Sequence, residues 1–315
     1  MDTHLTTSPE EAARYIDQGH LAAFPTETVY GLGADAFQPD AVQSIFEAKG
    51  RPADNPLIVH LGARVQVRQV AAAVPPVAET LLDRFAPGPL TLILPKAEGV
   101  PGAVTADLDT IGVRLPVHDG ARAFLRACDT PVAAPSANRS GRPSPTHWRA
   151  VQEDLGGRIA CILKGGRTEA GVESTVLDCT SPRPTVLRPG AVSVEALRET
   201  IGEGVLSSAP EPESPRSPGT KHRHYAPAAQ VRLVRAPAAA EPGPTAAYIG
   251  LQAPARAASF RMCRVADDVE AYARELFRFF RACDRADCSV IYAQTATPEG
   301  LGRALNDRLE RAAAR

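Results

Sequence analysis

Seven short apolar runs, each bounded by Gly or Pro, divide roughly the first 200 residues, and they limit the chain to folds built on buried strands. The runs are Leu21–Phe24, Leu57–Leu61, Leu90–Leu94, Ile111–Leu115, Pro131–Ala134, Ile159–Leu163 and Thr175–Leu177. Helical apolar spacing lies between several of them, at Ala41–Ala48, Val77–Phe85, Ala121–Cys128 and His147–Leu155. The alternation predicts an α/β unit with a mixed sheet covered on both faces. Ser8-Pro9-Glu10-Glu11 supplies an N-cap, a proline at N1 and a capping-box glutamate, so a helix ending near Gly19 opens the chain.

Ser207–Gly219 reads SSAPEPESPRSPG, a Pro/Ser/Glu composition that suits an extended linker. Beyond it, strand patterns at Val231–Val234, Ala246–Leu251 and Val290–Ala293 and helical patterns at Val269–Ala282 and Leu301–Ala314 predict a second, smaller α/β unit. With 315 residues, one large and one small domain is the natural division.

Composition narrows the function classes. The formal charge is −1, with 44% hydrophobic and 23% charged residues, so no bulk electrostatic footprint for nucleic acid is present. The six cysteines form no C-x-x-C pair and the seven histidines no metal-ligand spacing, which predicts buried apolar cysteines and a reducing, cytoplasmic setting. No apolar run is long enough to span a bilayer.

The dense polar sequence lies in the segments between runs: FPTETVYGLGADA (24–36), KGRPADNPLIVH (49–60), APSANRSGRPSPT (134–146) and GVESTVLD (171–178). Loops at strand ends are where α/β proteins place sites, and hydroxyls beside Gly and Pro suit phosphate oxygens. Lys49, Arg51, Arg114, Arg139, Arg142 and Arg188 add cations, as phosphoryl or nucleotidyl transfer requires. No P-loop is present. Each feature also has a plain alternative: a solvated helix end for Lys49 and Arg51, an Asx turn or cap for Ser136 and Asn138, strand-end hydroxyls for Thr26 and Thr28. Glu27 and Glu173 are candidates for a carboxylate pair in acid–base or magnesium chemistry. His4, His20, His118 and His147 have no evident catalytic partner in the sequence.

Taken in order, these segments, together with FAPGPLTLILPK (85–96) and IGVRLPVH (111–118), resemble the YrdC-like family over most of residues 20–190. SPGTKHRHYAP (217–227) and EGLGRALNDRLERAA (299–313) resemble its long, two-domain form, the L-threonylcarbamoyladenylate synthases. The resemblance implies a YrdC-like twisted mixed sheet over residues 1–204, a Pro-rich linker at 205–227 that covers the active site, and a small Rossmann-like α/β domain at 228–315. It implies conversion of L-threonine, bicarbonate and ATP to threonylcarbamoyl-AMP and pyrophosphate, with Mg2+ on the phosphates. The product then serves threonylcarbamoyladenosine formation in tRNA through hand-off to a separate transferase, with at most weak direct tRNA or double-stranded RNA binding.

Residue by residue, the resemblance places Thr28, His60, Arg114, Ala134 and Ser174 around threonine. It places Lys49, Arg51, Asn55, Thr110, Ser136, Asn138, Ser144, Arg188 and Tyr225 around ATP, with Lys49 and Arg51 as the catalytic cations. The linker block departs from the family at Thr220, where Met is usual, and at His222, where Tyr is usual. An RNA-binding YrdC-like module is the alternative from another class, and the near-neutral charge argues against it. A hydrogenase-maturation carbamoyltransferase would need cysteine pairs that are absent, and a purely structural role leaves the cations unexplained.

Overall fold

A computed structural model describes residues 2–206 and 225–314. The first stretch holds the strands β1 (His4–Thr6), β2 (Ala22–Phe24), β3 (Gly31–Asp35), β4 (Ile58–His60), β5 (Leu90–Pro95), β6 (Thr110–Arg114), β7 (Val132–Ala134), β8 (Cys161–Leu163), β9 (Thr175–Asp178) and β10 (Thr185–Arg188). They form one sheet in the order β1-β8-β2-β3-β7-β4-β6-β5-β9-β10. The sheet is mixed, as expected: β4 and β6 run parallel, while β7 pairs antiparallel with both β3 and β4.

Around this sheet lie α1 (Pro9–Asp17), α2 (Pro39–Lys49), α3 (Val67–Val70), α4 (Pro76–Phe85), α5 (Gly102–Thr105), α6 (Asp119–Ala127), α7 (Trp148–Leu155) and α8 (Val194–Ile201). Alternation along the strands divides the core between two faces. Ala22, Phe24, Val132, Ala134, Cys161 and Leu163 pack with α1 and α6, whereas the intervening Ala23, Ala133 and Ile162 join the larger core that takes in α2, α4 and α8. Both faces are covered, which is why the strands read as unbroken apolar runs.

β3 corrects the expectation that residues 24–36 are one turn. Gly31 and Gly33 hide it as a strand, because glycine has poor strand propensity. Packing demands them: a Cβ on Gly33 would lie 2.7 Å from Val132 Cγ1, and one on Gly31 3.0 Å from Phe24 Cζ. At the first helix, the Ser8 hydroxyl caps Glu11 N–H as predicted, but the Glu11 carboxylate takes the Thr6 hydroxyl and His4 instead of closing the capping box.

The second stretch forms a four-stranded, all-parallel sheet of β11 (Gln230–Val234), β12 (Ala246–Gly250), β13 (Met262–Val265) and β14 (Val290–Gln294), in the order β11-β14-β12-β13. Its helices are α9 (Val269–Arg285) and α10 (Leu301–Ala313). β13 escaped the apolar pattern because this edge strand leaves most of its residues exposed. The expected linker at 205–227, with Thr220 and His222, falls largely outside the described residues. At its described C-terminal end, Ala226 N–H donates to Gly141 O at 2.9 Å.

Two arginines join the sheets' layers. Arg281 of α9 donates to both oxygens of buried Asp154 at 2.7 and 3.2 Å, and Arg308 of α10 donates to Glu173 at 2.7 Å. Among the described residues all six cysteines are unpaired and only Cys263 is exposed, and no helix is long and apolar enough to cross a membrane.

Candidate active site

The cavity of interest opens where β4, β6 and β7 meet the loops that follow β2 and β7 and precede β9. His60 and Arg114 are the last residues of the parallel neighbours β4 and β6 and stand opposite each other in register. Ends of strands in open α/β sheets leave room for such groups. Thr28, from the turn after β2, Ala134, at the end of β7, and Ser174, just before β9, complete this wall.

The wall is tightly bonded. Arg114 donates to Glu27 Oε1 at 2.7 Å, with both side chains about 5% exposed. Arg114 Nε and Glu27 Oε2 are buried with no hydrogen-bond partner among the described residues, so within them one donor and one acceptor of the pair stay unmatched. The Thr28 hydroxyl shares a 2.8 Å hydrogen bond with that of Thr26, and the Ser174 hydroxyl one of 2.8 Å with Thr91. His60 Nδ1 lies 3.2 Å from Ile58 O, and burial first, then the Arg114 charge, pulls its pKa down to about 3. The imidazole is therefore neutral at physiological pH and acts as a polar, uncharged wall group.

A second group of lining residues, the cationic wall, adds positive charge. Arg51, Ser136, Asn138, Arg188 and Tyr225 line it. Arg51 donates to Asn55 O at 3.0 Å, lies over Phe46 and is pulled down to about 10 by burial, so it remains charged. Arg188 donates to Ser174 O at 2.9 Å and to its hydroxyl at 3.2 Å, which ties the two walls together. Tyr225 is 5% exposed and stacks on Phe277 of α9 with ring centroids 5.4 Å apart. Tyr225, from the segment expected as a linker, thus lines the cavity.

Lys49, Asn55, Thr110 and Ser144 do not line the cavity. Lys49 ends α2 but is buried rather than a solvated helix end: its ammonium donates to the carbonyls of Ser136 and Asn138 and so holds the 136–138 loop. Burial, then the Arg51 charge, lowers its pKa well below the ordinary lysine range. Asn55 is fully buried with neither amide atom hydrogen-bonded. Ser144 donates to Glu173 Oε1 at 2.6 Å. Thr110 starts β6, four residues before Arg114 and roughly 13 Å away along the strand.

The Ser136 hydroxyl turns to Asn138 Oδ1, whose amide donates to Arg139 O and Arg142 O; this local network shapes a loop and caps no helix. Glu27 and Glu173 form no carboxylate pair, since each is bonded to its own arginine, Arg114 or Arg308. No group of three His, Cys, Asp or Glu side chains able to hold a metal occurs among the described residues. His118 and His147 cap α6 and α7, and His4 pairs with Glu11.

Sequence reasoning named Glu173 as half of a carboxylate pair, whereas it lines the cavity bonded to an arginine, and it missed that arginine, Arg308. The arginine had a signal. Arg308 shares a helical face with the apolar Ala304, Leu305, Leu309 and Ala312, where a charge needs a buried partner.

Comparison with known proteins identifies the family of the chain. A family model described as "Telomere recombination" covers residues 14–190, and one described as "Threonylcarbamoyl-AMP synthase, C-terminal domain" covers residues 192–314. The threonylcarbamoyl-AMP synthase of Pyrococcus abyssi is 44% identical over 314 residues, spanning 96% of this chain and 92% of the relative. That of Bacillus subtilis is 48% identical over 237 residues, spanning 74% and 68%. The crystal structure of P. abyssi Sua5 complexed with L-threonine matches with a TM-score of 0.90 at 41% identity, over 99% of this chain and 97% of that one. The chain belongs to the threonylcarbamoyl-AMP synthase family, in its two-domain form.

Proposed function

We propose that the neutral wall holds L-threonine and the cationic wall holds ATP, and that the cavity between them joins the two as threonylcarbamoyl-AMP. The observation that carries this reading is the burial of Lys49, Arg51 and Arg188 beside one cavity, each with its pKa lowered first of all by burial. Keeping three desolvated cations together costs folding free energy, and a polyanion arriving there relieves that cost. The Arg114–Glu27 pair, with one unmatched donor and one unmatched acceptor, suits a zwitterion that brings a carboxylate and an amine. The L-threonine complex of the P. abyssi relative supports that side.

In this reading threonine and bicarbonate give a carbamate with loss of water. The carbamate oxygen then attacks the α-phosphorus of ATP, and the bond to the bridging oxygen breaks to release pyrophosphate. Thr28, His60, Arg114, the backbone at Ala134 and Ser174 orient the amino acid. Arg51, Ser136, Asn138 and Arg188 hold the nucleotide from the cavity lining, and Arg51 with Lys49 stabilises charge on the phosphates. Asn55, Ser144 and Thr110 stand outside that lining and must turn toward the nucleotide to join them. Lys49 must exchange its loop carbonyls for phosphate oxygens to do so. Tyr225 covers the cavity and excludes water, as the last residues of a linker at 205–227 between domains 1–204 and 228–315.

Glu27 and Glu173 are already bonded to arginine, so these residues offer magnesium no ready site, and the ion is proposed only as a companion of the triphosphate. The product passes to a separate enzyme that transfers the threonylcarbamoyl group to tRNA. Pyrophosphate release from ATP, measured with and without L-threonine and bicarbonate, tests the reading. Release is expected only with both present, and release indifferent to threonine sinks it.

A further inference from the structure

Arg308 belongs to α10, yet most of its guanidinium contacts reach the other sheet's side of the molecule. The side chain is fully buried. Nε donates to Glu173 Oε2 at 2.7 Å and Nη1 to Pro189 O at 3.0 Å, and Nη1 also bonds the neighbouring Asp307. The guanidinium carbon lies 5.4 Å from the centre of the Tyr225 ring, within cation–π range. The contacts other than Asp307 lead on toward residues assigned to the nucleotide. Glu173 accepts the Ser144 hydroxyl, Pro189 follows Arg188, and Tyr225 lines the cavity itself. No hydrogen bond of Arg308 goes to Thr28, His60, Arg114 or Ala134.

We propose that Arg308 is a positioning residue for the nucleotide half of the active site, so that the second domain, through α10, is a working part of that site. This rests on the assignment of Ser144, Arg188 and Tyr225 to ATP made above. The physical reason lies in Glu173. Burial drives its carboxyl toward the neutral form, but Arg308 from α10 and Arg188 from β10, with the Ser144 and Arg308 hydrogen bonds, outweigh burial and keep it ionised. An ionised Glu173 is an acceptor that fixes Ser144, and Arg308 at the same time holds the ring of Tyr225 from one side while Phe277 stacks against it. An ordinary interdomain salt bridge would change stability alone, whereas a positioning role changes the Michaelis constants selectively.

The test is steady-state pyrophosphate release by full-length Arg308→Met, Arg308→Lys, Glu173→Gln and the Arg308→Met/Glu173→Gln double variant, with melting temperatures alongside. Arg308→Met is expected to raise the KM for ATP by about tenfold or more and to leave that for threonine within about twofold, because its contacts lead first to Ser144, Arg188 and Tyr225 and reach the threonine side only at second hand, through the Arg188–Ser174 bond. The double variant is expected to be no worse than Arg308→Met, since the two residues act as one unit. An ATP KM within about twofold of wild type, or a threonine KM that rises as far as the ATP KM, overturns the proposal even if the melting temperature falls. Should Arg308→Met show no cooperative melt, Arg308→Lys decides by the same two constants, its ATP KM expected to rise about threefold or more because a point charge replaces the fork. Wild-type protein without threonine-dependent release would instead contradict the functional assignment itself.

Discussion

Arg51→Ala is expected to lower kcat/KM for ATP by about a thousandfold while the protein still melts cooperatively, because removing one preorganised charge at a reacting phosphate costs about that much. Arg51 lines the cavity and donates to the backbone carbonyls of Asn55 and Pro56, and the carboxylate acting on it, Asp54, is exposed, so its loss strands no buried carboxylate. Lys49→Ala is expected to behave differently. Its ammonium holds the buried carbonyls of Ser136 and Asn138, so alanine should abolish turnover and also destabilise the fold by roughly 2–4 kcal/mol, through two unsatisfied carbonyls. Pyrophosphate release and thermal melts of both variants check this. Wild-type kinetics in Arg51→Ala would return that residue to a structural role, and an unchanged melt in Lys49→Ala would show that the loop does not depend on it.

The second large effect lies among the residues proposed to hold threonine. Arg114→Met is expected to cut kcat/KM for threonine by about a thousandfold, as truncation of a buried carboxylate partner does. It should also destabilise the protein by about 3–5 kcal/mol, because Glu27 is left as a buried, unpaired charge. Adding Glu27→Leu should restore much of the stability and none of the activity, which separates folding from binding. Retained threonine dependence in Arg114→Met would remove Arg114 from the site.

Much of this architecture was legible in the sequence because both faces of the larger sheet are covered, so β2, β4, β5, β6, β7, β8 and β9 each left an apolar run. Legibility failed where packing asks for something other than bulk. β3 carries glycines because neighbouring side chains occupy the space a Cβ would need, and β13 is an exposed edge. For the site, residue types pointed to a cationic pocket, but their partners did not follow from type. That Lys49 serves two carbonyls, and that Glu27 and Glu173 are each bonded to an arginine, depends on contacts between positions 87 to 135 residues apart. Tyr225 could be placed from the sequence only as a residue of the expected linker, and its stacking on Phe277 likewise depends on a contact 52 residues away.

The proposed amino-acid and nucleotide sides of the cavity are bridged by the Arg188–Ser174 contact. The most direct measurement is the melting temperature of the wild-type protein with ATP, with L-threonine, and with both. Ligands that occupy adjoining sites of the folded state should each raise it, and the pair should raise it by more than either alone. A pair no more stabilising than ATP alone, or threonine that reverses the ATP shift, would mean that the two do not sit side by side in this pocket.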